Sequence, residues 1–106
     1  MWLVDVKKMC RQHLLGEHCE LHMFTGAMKC GFNLDGYYKN KLIDVTKIIE
    51  RHEELVREME SRGMIHKSII SDEDKKMLFS YHGNNGNVSV EDNIKELRKR
   101  CKNCDI

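Results

Sequence analysis

Arg11-Gln12-His13-Leu14-Leu15-Gly16-Glu17-His18-Cys19-Glu20-Leu21 decides how the chain is read, because its spacing is helical while several of its inward positions are titratable. At 100° per residue, Val6, Cys10, Leu14, Leu21, Phe24 and Met28 share one stripe. Glu17 falls near the centre of that stripe, and His13 and Glu20 lie on its flank. Burying an unpaired carboxylate costs several kcal/mol. Glu17 and Glu20 are therefore expected either beside cations or facing a cleft in which a shifted pKa is useful.

Working outward, the spacing predicts a first helix from near Val6 to about Met28, broken by Gly31 and the polar Asn33-Leu34-Asp35-Gly36 stretch. Residues 31 to 42 read as a loop carrying Tyr37 and Tyr38. A second helix is predicted from about Ile43 to Arg62, where Val45, Ile48, Ile49, His52, Leu55, Val56 and Met59 keep the 3–4 spacing and Gly63 supplies a stop. His52 thus lies on an apolar face. Met64 to Tyr81 is less regular, and residues 83 to 87 read as a flexible loop. Ser89-Val90-Glu91-Asp92 resembles an N-cap leading into a basic third helix from Ile94 to about Cys101. The expectation is an all-α, single-domain bundle of about three helices with long loops over residues 1–106. Residues 83–106 form its flexible loop, basic C-terminal helix and tail.

Bulk composition agrees. A chain of 106 residues suffices for one modest core. With 33% charged residues, 7% aromatics and no proline, helices are favoured over a sandwich or barrel. The net charge of +1 requires any nucleic-acid contact to come from a local patch. Met1-Trp2-Leu3-Val4 runs at once into Asp5, Lys7 and Lys8, unlike a signal peptide, and no apolar run approaches the ~20 residues of a membrane span. Five cysteines, an odd number, suit a reducing compartment. An intracellular monomer with no membrane contact is expected.

The candidate site gathers His13, Glu17 and Glu20 from the first helix and His52 from the second, converging if the two pack face to face. His66 and Lys67 follow the second helix stop. Carboxylates, imidazoles and an amine together suit acid/base or amine chemistry. A purely structural Glu17–His52 or Glu17–Arg51 pair fits the same spacing. Cys101-Lys102-Asn103-Cys104 has metal-ligand spacing, and His18, Cys19 and His22 are further donors, but zinc wants four ligands and the chain has one CxxC. No metal is assigned, and the tail reads as frayed with reduced thiols. Lys7, Lys8, Arg11, Lys39, Lys41, Arg51 and Lys67 are candidate phosphate contacts, and Trp2, Tyr37 and Tyr38 are candidate stacking or packing rings.

Arg11-Gln12-His13-Leu14-Leu15-Gly16-Glu17-His18-x-Glu20-Leu21, then Arg51-His52-x-x-Leu55-x-x-Glu58-Met59-x-x-Arg62-Gly63 and His66-Lys67-Ser68, resembles the pyrimidine-dimer DNA glycosylase family of the phage endonuclease V type over about residues 1–70. The resemblance implies a mainly helical, cofactor-independent enzyme acting on damaged double-stranded DNA. In that family an N-terminal α-amine attacks C1′ of the damaged nucleotide, and the resulting imine undergoes β-elimination to nick the strand. It also implies Glu20 as the supporting glutamate, His13 as a histidine near the substrate and Met1 as bearer of the amine, since the bulky Trp2 favours retention of the initiator methionine. Arg11, Glu17, Arg51, His52, His66 and Lys67 are the implied substrate contacts. Where the phage type flanks its glutamate with arginines, this chain has Cys19 and Met23, which removes expected phosphate or base contacts. Two other classes remain open: a non-catalytic nucleic-acid-binding or protein-interaction module, and a metal-dependent nuclease using His13, Glu17, Glu20 and His52.

Overall fold

Two glycines stop the two long helices by the same device. The computed structural model describes residues 1–65, 68–80 and 88–106. Its elements are α1 Arg11–Lys29, α2 Asp35–Lys39, α3 Ile48–Ser61, α4 Asp72–Phe79 and α5 Val90–Arg100, with single 3-10 turns at Val6–Lys8 and Val45–Lys47. After α1, Gly31 takes φ 74°, which lets its N–H reach Met28 O at 3.1 Å and Phe32 N–H reach Ala27 O at 2.9 Å. After α3, Gly63 takes φ 75° and the chain repeats the pattern, Gly63 N–H to Glu60 O and Met64 N–H to Met59 O, both 2.9 Å. Each satisfies carbonyls that a helix end would otherwise leave bare.

The fold is all-α: among the described residues there is no strand, and the expected three helices are five. The first expected helix starts late. Asp5 accepts from Lys7 N–H and winds Val6–Lys8 into a 3-10 turn, after which Met9 and Cys10 are extended and α1 begins at Arg11. Asp44 does the same to Val45–Lys47, so α3 starts at Ile48 rather than Ile43. Ser89 caps α5 as expected, its hydroxyl accepting from Asp92 N–H at 3.3 Å, but the helix starts at Val90. The two additions are short. α2 has five residues, and α4 has eight behind a Ser71 cap and three acidic residues in its first turn. His66, Lys67 and the glycine- and asparagine-rich loop at 83–87 lie outside the described residues.

Packing centres on α1 against α3, with α4 completing that side. Leu14, Leu21 and Phe24 of α1 join Ile48, Leu55 and Met59 of α3, Ile43 and Leu97 of α5 in one core. Residues 1–4 belong to it too, since Met1 and Val4 are buried. The tail is docked rather than frayed: Asp105 N–H donates to Lys8 O at 2.7 Å, and Cys104 is buried. No helix among the described residues is long and apolar enough to cross a membrane.

A Cβ added at Gly63 would meet nothing within 4 Å, so Gly63→Ala isolates the backbone cost of the left-handed position. Stability should fall by about 1–2 kcal/mol, read as a lower urea midpoint at unchanged m.

Candidate active site

The α-amine of Met1 is held against Glu20 of α1. Its nitrogen donates to Glu20 Oε1 and, at 2.8 Å, to Leu42 O. Met1 is buried, while the Glu20 side chain keeps about a third of its surface exposed. The amine is thus masked by protein on one side and joined to solvent through the carboxylate. Neighbouring groups fix the segment that carries it. Asn93 of α5 donates through Nδ2 to Met1 O at 3.1 Å and to Trp2 O at 2.8 Å. Leu3 N–H points to Glu17 Oε2 at 3.4 Å, and Arg51 Nη2 donates to Val4 O at 2.7 Å. Leu3 itself has φ 53°, a left-handed backbone that costs a non-glycine residue of order 1–3 kcal/mol and persists only where the surroundings dictate it.

Beside the amine lies a cleft of about 210 Å³ lined by Met1, Trp2, Glu20, Leu42, Asn93, Glu96 and Arg100. Three of these linings come from α5. The sequence alone marks none of Asn93, Glu96 and Arg100, because the run Lys95-Glu96-Leu97-Arg98-Lys99-Arg100 has the composition of a solvated, basic helix face and Asn93 precedes the predicted start of that helix. Their i, i+3, i+7 spacing, which places them on one side of a helix, was the available signal. Arg100 Nε donates to Glu96 Oε1 at 2.7 Å at the edge of this cleft.

The expected convergence of His13, Glu17, Glu20 and His52 does not occur, and the four go to four different sets of partners. Seven residues of α-helix separate His13 from Glu20 by about 10 Å along the axis, so a shared face does not make a shared site. Glu17 is turned inward and paired with Arg51: Nε to Oε2 at 2.7 Å and Nη2 to Oε1 at 2.9 Å, both side chains almost fully buried. Of the two structural pairs the spacing allowed, the geometry selects this one. As substrate contacts, Glu17 and Arg51 are occupied by each other and by the backbone of residues 3 and 4.

His52 of α3 meets His18 and His22 of α1. Its Nε2 lies 3.2 Å from His22 Nε2 and 3.3 Å from Ser68 O, and the ring centroids of the three histidines lie within 5.0 Å of one another. Their donor nitrogens cluster closely enough to share a cation. His13 joins thiols instead, with Nδ1 3.1 Å from Cys10 Sγ and 3.5 Å from Cys104 Sγ, while its ring stands T-shaped to that of Trp2 at a centroid distance of 5.9 Å. Burial pushes the Cys104 thiol up to about 11; the Asn103 N–H, donated to Cys101 Sγ, is the main cause holding that thiol below its ordinary value. The donors singled out in the sequence are therefore re-sorted: His18 and His22 go with His52, and the CxxC goes with Cys10 and His13. Arg11, Lys7, Lys8, Lys39 and Lys41 are exposed, as are Cys19 and Met23.

Residues 1–72 match the family described as pyrimidine dimer DNA glycosylase, about two thirds of the 106-residue chain. No curated protein and no solved structure matches.

The buried pair generates a thermodynamic expectation. Arg51→Met leaves the Glu17 carboxylate without its guanidinium, so stability should drop by about 3–5 kcal/mol, whereas Glu17→Met combined with Arg51→Met should recover most of that loss. Urea unfolding of the two variants beside the parent chain checks it.

Proposed function

Since the chain belongs to the pyrimidine dimer DNA glycosylase family, we propose that it is a DNA repair glycosylase with abasic-site lyase activity, acting on damaged duplex DNA through the Met1 α-amine. The observation that carries this reading is the contact between that amine and Glu20 at the side of a cleft. An amine can attack carbon only as the free base, and Glu20 Oε1 is placed to take or share its proton. In the proposed sequence the nitrogen bonds to C1′ as the C1′–base bond breaks, the sugar ring opens and the adduct becomes an imine. The imine draws electrons from C2′, whose proton leaves, and the C3′–O3′ bond breaks. Glu20 then serves both as proton carrier and as counter-charge to the cationic sugar.

The rest of the cleft fits this assignment. Four backbone groups of residues 1–4 are held by Glu17, Arg51 and Asn93, which gives the nucleophile a fixed position before substrate arrives. Arg100 at the rim and the exposed Arg11, Lys39 and Lys41 are the proposed phosphate contacts, in place of the arginines that Cys19 and Met23 replace. A lesion inside a duplex must be extruded or the helix distorted to bring C1′ to the amine, and Trp2, at the cleft, is the proposed ring against which the opened step rests. His13 would act on the site through Trp2.

A second reading, a metal-dependent nuclease, draws on the clustered nitrogens of His18, His22 and His52. It needs a bound cation and no covalent adduct, so the two readings separate cleanly.

Borohydride reduces an imine to a stable amine. On duplexes carrying a cyclobutane pyrimidine dimer or an abasic site, the imine reading expects a covalent adduct that maps to the amino-terminal peptide and disappears when the α-amine is acetylated. Glu20→Gln should slow adduct formation by about 10²–10⁴-fold with duplex affinity retained. Strand cleavage without a trapped adduct, abolished by chelation, would transfer the assignment to the nuclease. Affinity itself should weaken with salt, and Arg100→Ala should lower the magnitude of the log–log slope by roughly 0.9, one phosphate's worth.

A further inference from the structure

Four sulfur and nitrogen donors from the two ends of the chain meet at one point. Cys10 and His13 stand at the start of α1, Cys10 being its N-cap, and Cys101 and Cys104 follow the end of α5. The spacing is Cys-x-x-His near one terminus and Cys-x-x-Cys near the other, with His13 and Cys104 91 positions apart. We propose that Cys10, His13, Cys101 and Cys104 form a tetrahedral zinc site that ties the C-terminal tail to the start of α1.

The distances fit one ion. Zinc bonds of about 2.3 Å to sulfur and 2.0–2.1 Å to nitrogen at tetrahedral angles separate two sulfurs by about 3.8 Å, and a sulfur and a nitrogen by about 3.5 Å. The observed Cys10 Sγ to Cys101 Sγ separation is 3.8 Å, and His13 Nδ1 lies 3.5 Å from Cys104 Sγ and 3.1 Å from Cys10 Sγ. All four ligand atoms fall within 4.8 Å of one another. A disulfide requires about 2.05 Å between sulfurs, and all these cysteines are free thiols.

The surroundings suit thiolates. Cys10 N–H donates to Cys104 Sγ at 3.2 Å, and Asn103 N–H donates to Cys101 Sγ at 3.3 Å. Such backbone donors orient zinc-bound sulfurs and spread their charge. A set of three cysteines and one histidine leaves no open coordination position, which marks a structural role. The ion would fasten α5 to the N-terminal segment, the same contact that Asn93 makes through Met1 O and Trp2 O. Metal binding here stands on its own whether or not the chain cleaves DNA.

Cobalt(II) reads the site directly. Titration of the metal-free full chain should give sulfur-to-cobalt charge-transfer absorption and intense tetrahedral visible bands saturating at one equivalent, and zinc should displace both. Cys101→Ser and Cys104→Ser should each lower the charge-transfer absorption by about a third or more, as one of three thiolates is lost, and weaken zinc retention by elemental analysis. His22→Ala should keep the band, because the His18, His22 and His52 cluster offers only nitrogen. Should either serine variant fail to fold, the parent titration and the His22→Ala control still decide. Absence of a thiolate band in the parent chain, or a band undiminished in both serine variants, would overturn the proposal.

Discussion

The buried Glu17–Arg51 pair is the constraint around which the molecule is arranged. Two full charges out of water cost more than their attraction returns unless the remaining hydrogen-bonding capacity is met, and here it is met by main chain. Arg51 spans from the Glu17 carboxylate to Val4 O, and Glu17 reaches Leu3 N–H. One ion pair therefore joins α1, α3 and the N-terminal segment at a single buried point. Among the described residues, no buried side-chain nitrogen or oxygen lacks a partner. Apolar side chains of equal volume could fill the space at little net cost, but they would not tie Leu3 N–H and Val4 O to α1 and α3, so the pair serves register more than net stability.

That arrangement explains what the sequence could and could not show. The face on which Glu17 falls follows from helical periodicity, and so does the burial of Leu14, Leu21, Phe24, Leu55 and Met59. Gly31 and Gly63 announce the helix stops because only a residue without Cβ takes positive φ freely. Partner identity is a different kind of information. Whether Glu17 meets Arg51 or His52 depends on how α3 is rotated about its axis, since consecutive residues stand about 100° apart with only about 1.5 Å of rise between them, and the periodicity of either helix alone is blind to it. The same blindness brought His13 and Glu20 together on a shared face when they are two turns apart. α4 escaped notice for another reason: with eight residues and one buried side chain, Leu78, it has too little apolar stripe to register, although Ser71 and the acidic residues after it mark its start.

The C-terminal region illustrates the largest gap. Cys101 and Cys104 alone are half a ligand set, and their other half is 91 residues away, so no local pattern completes it. A tail read as frayed is docked on the body of the fold, with Cys104 buried and Asp105 N–H on Lys8 O, once α5 lays its Asn93 against residues 1 and 2. The basic run that reads as a solvated face likewise acquires a second side: Asn93, Glu96 and Arg100 turn toward the cleft while Lys95, Arg98 and Lys99 stay exposed.

A nucleophile at the end of a chain poses a physical difficulty, because terminal residues ordinarily fray and sample many positions. In the proposed reaction the amine must stand within bonding reach of C1′, and each ångström of freedom is entropy that the transition state has to recover. Glu17, Arg51 and Asn93 remove that freedom in advance, at the expense of a strained Leu3 and two buried charges. The Cys10, His13, Cys101 and Cys104 cluster would add a restraint from the opposite end of the chain. The fold thus places its most costly interactions within four residues of the amine, where the proposed reaction needs rigidity, and leaves on the exposed faces of α1 and α5 the cations proposed to meet phosphate.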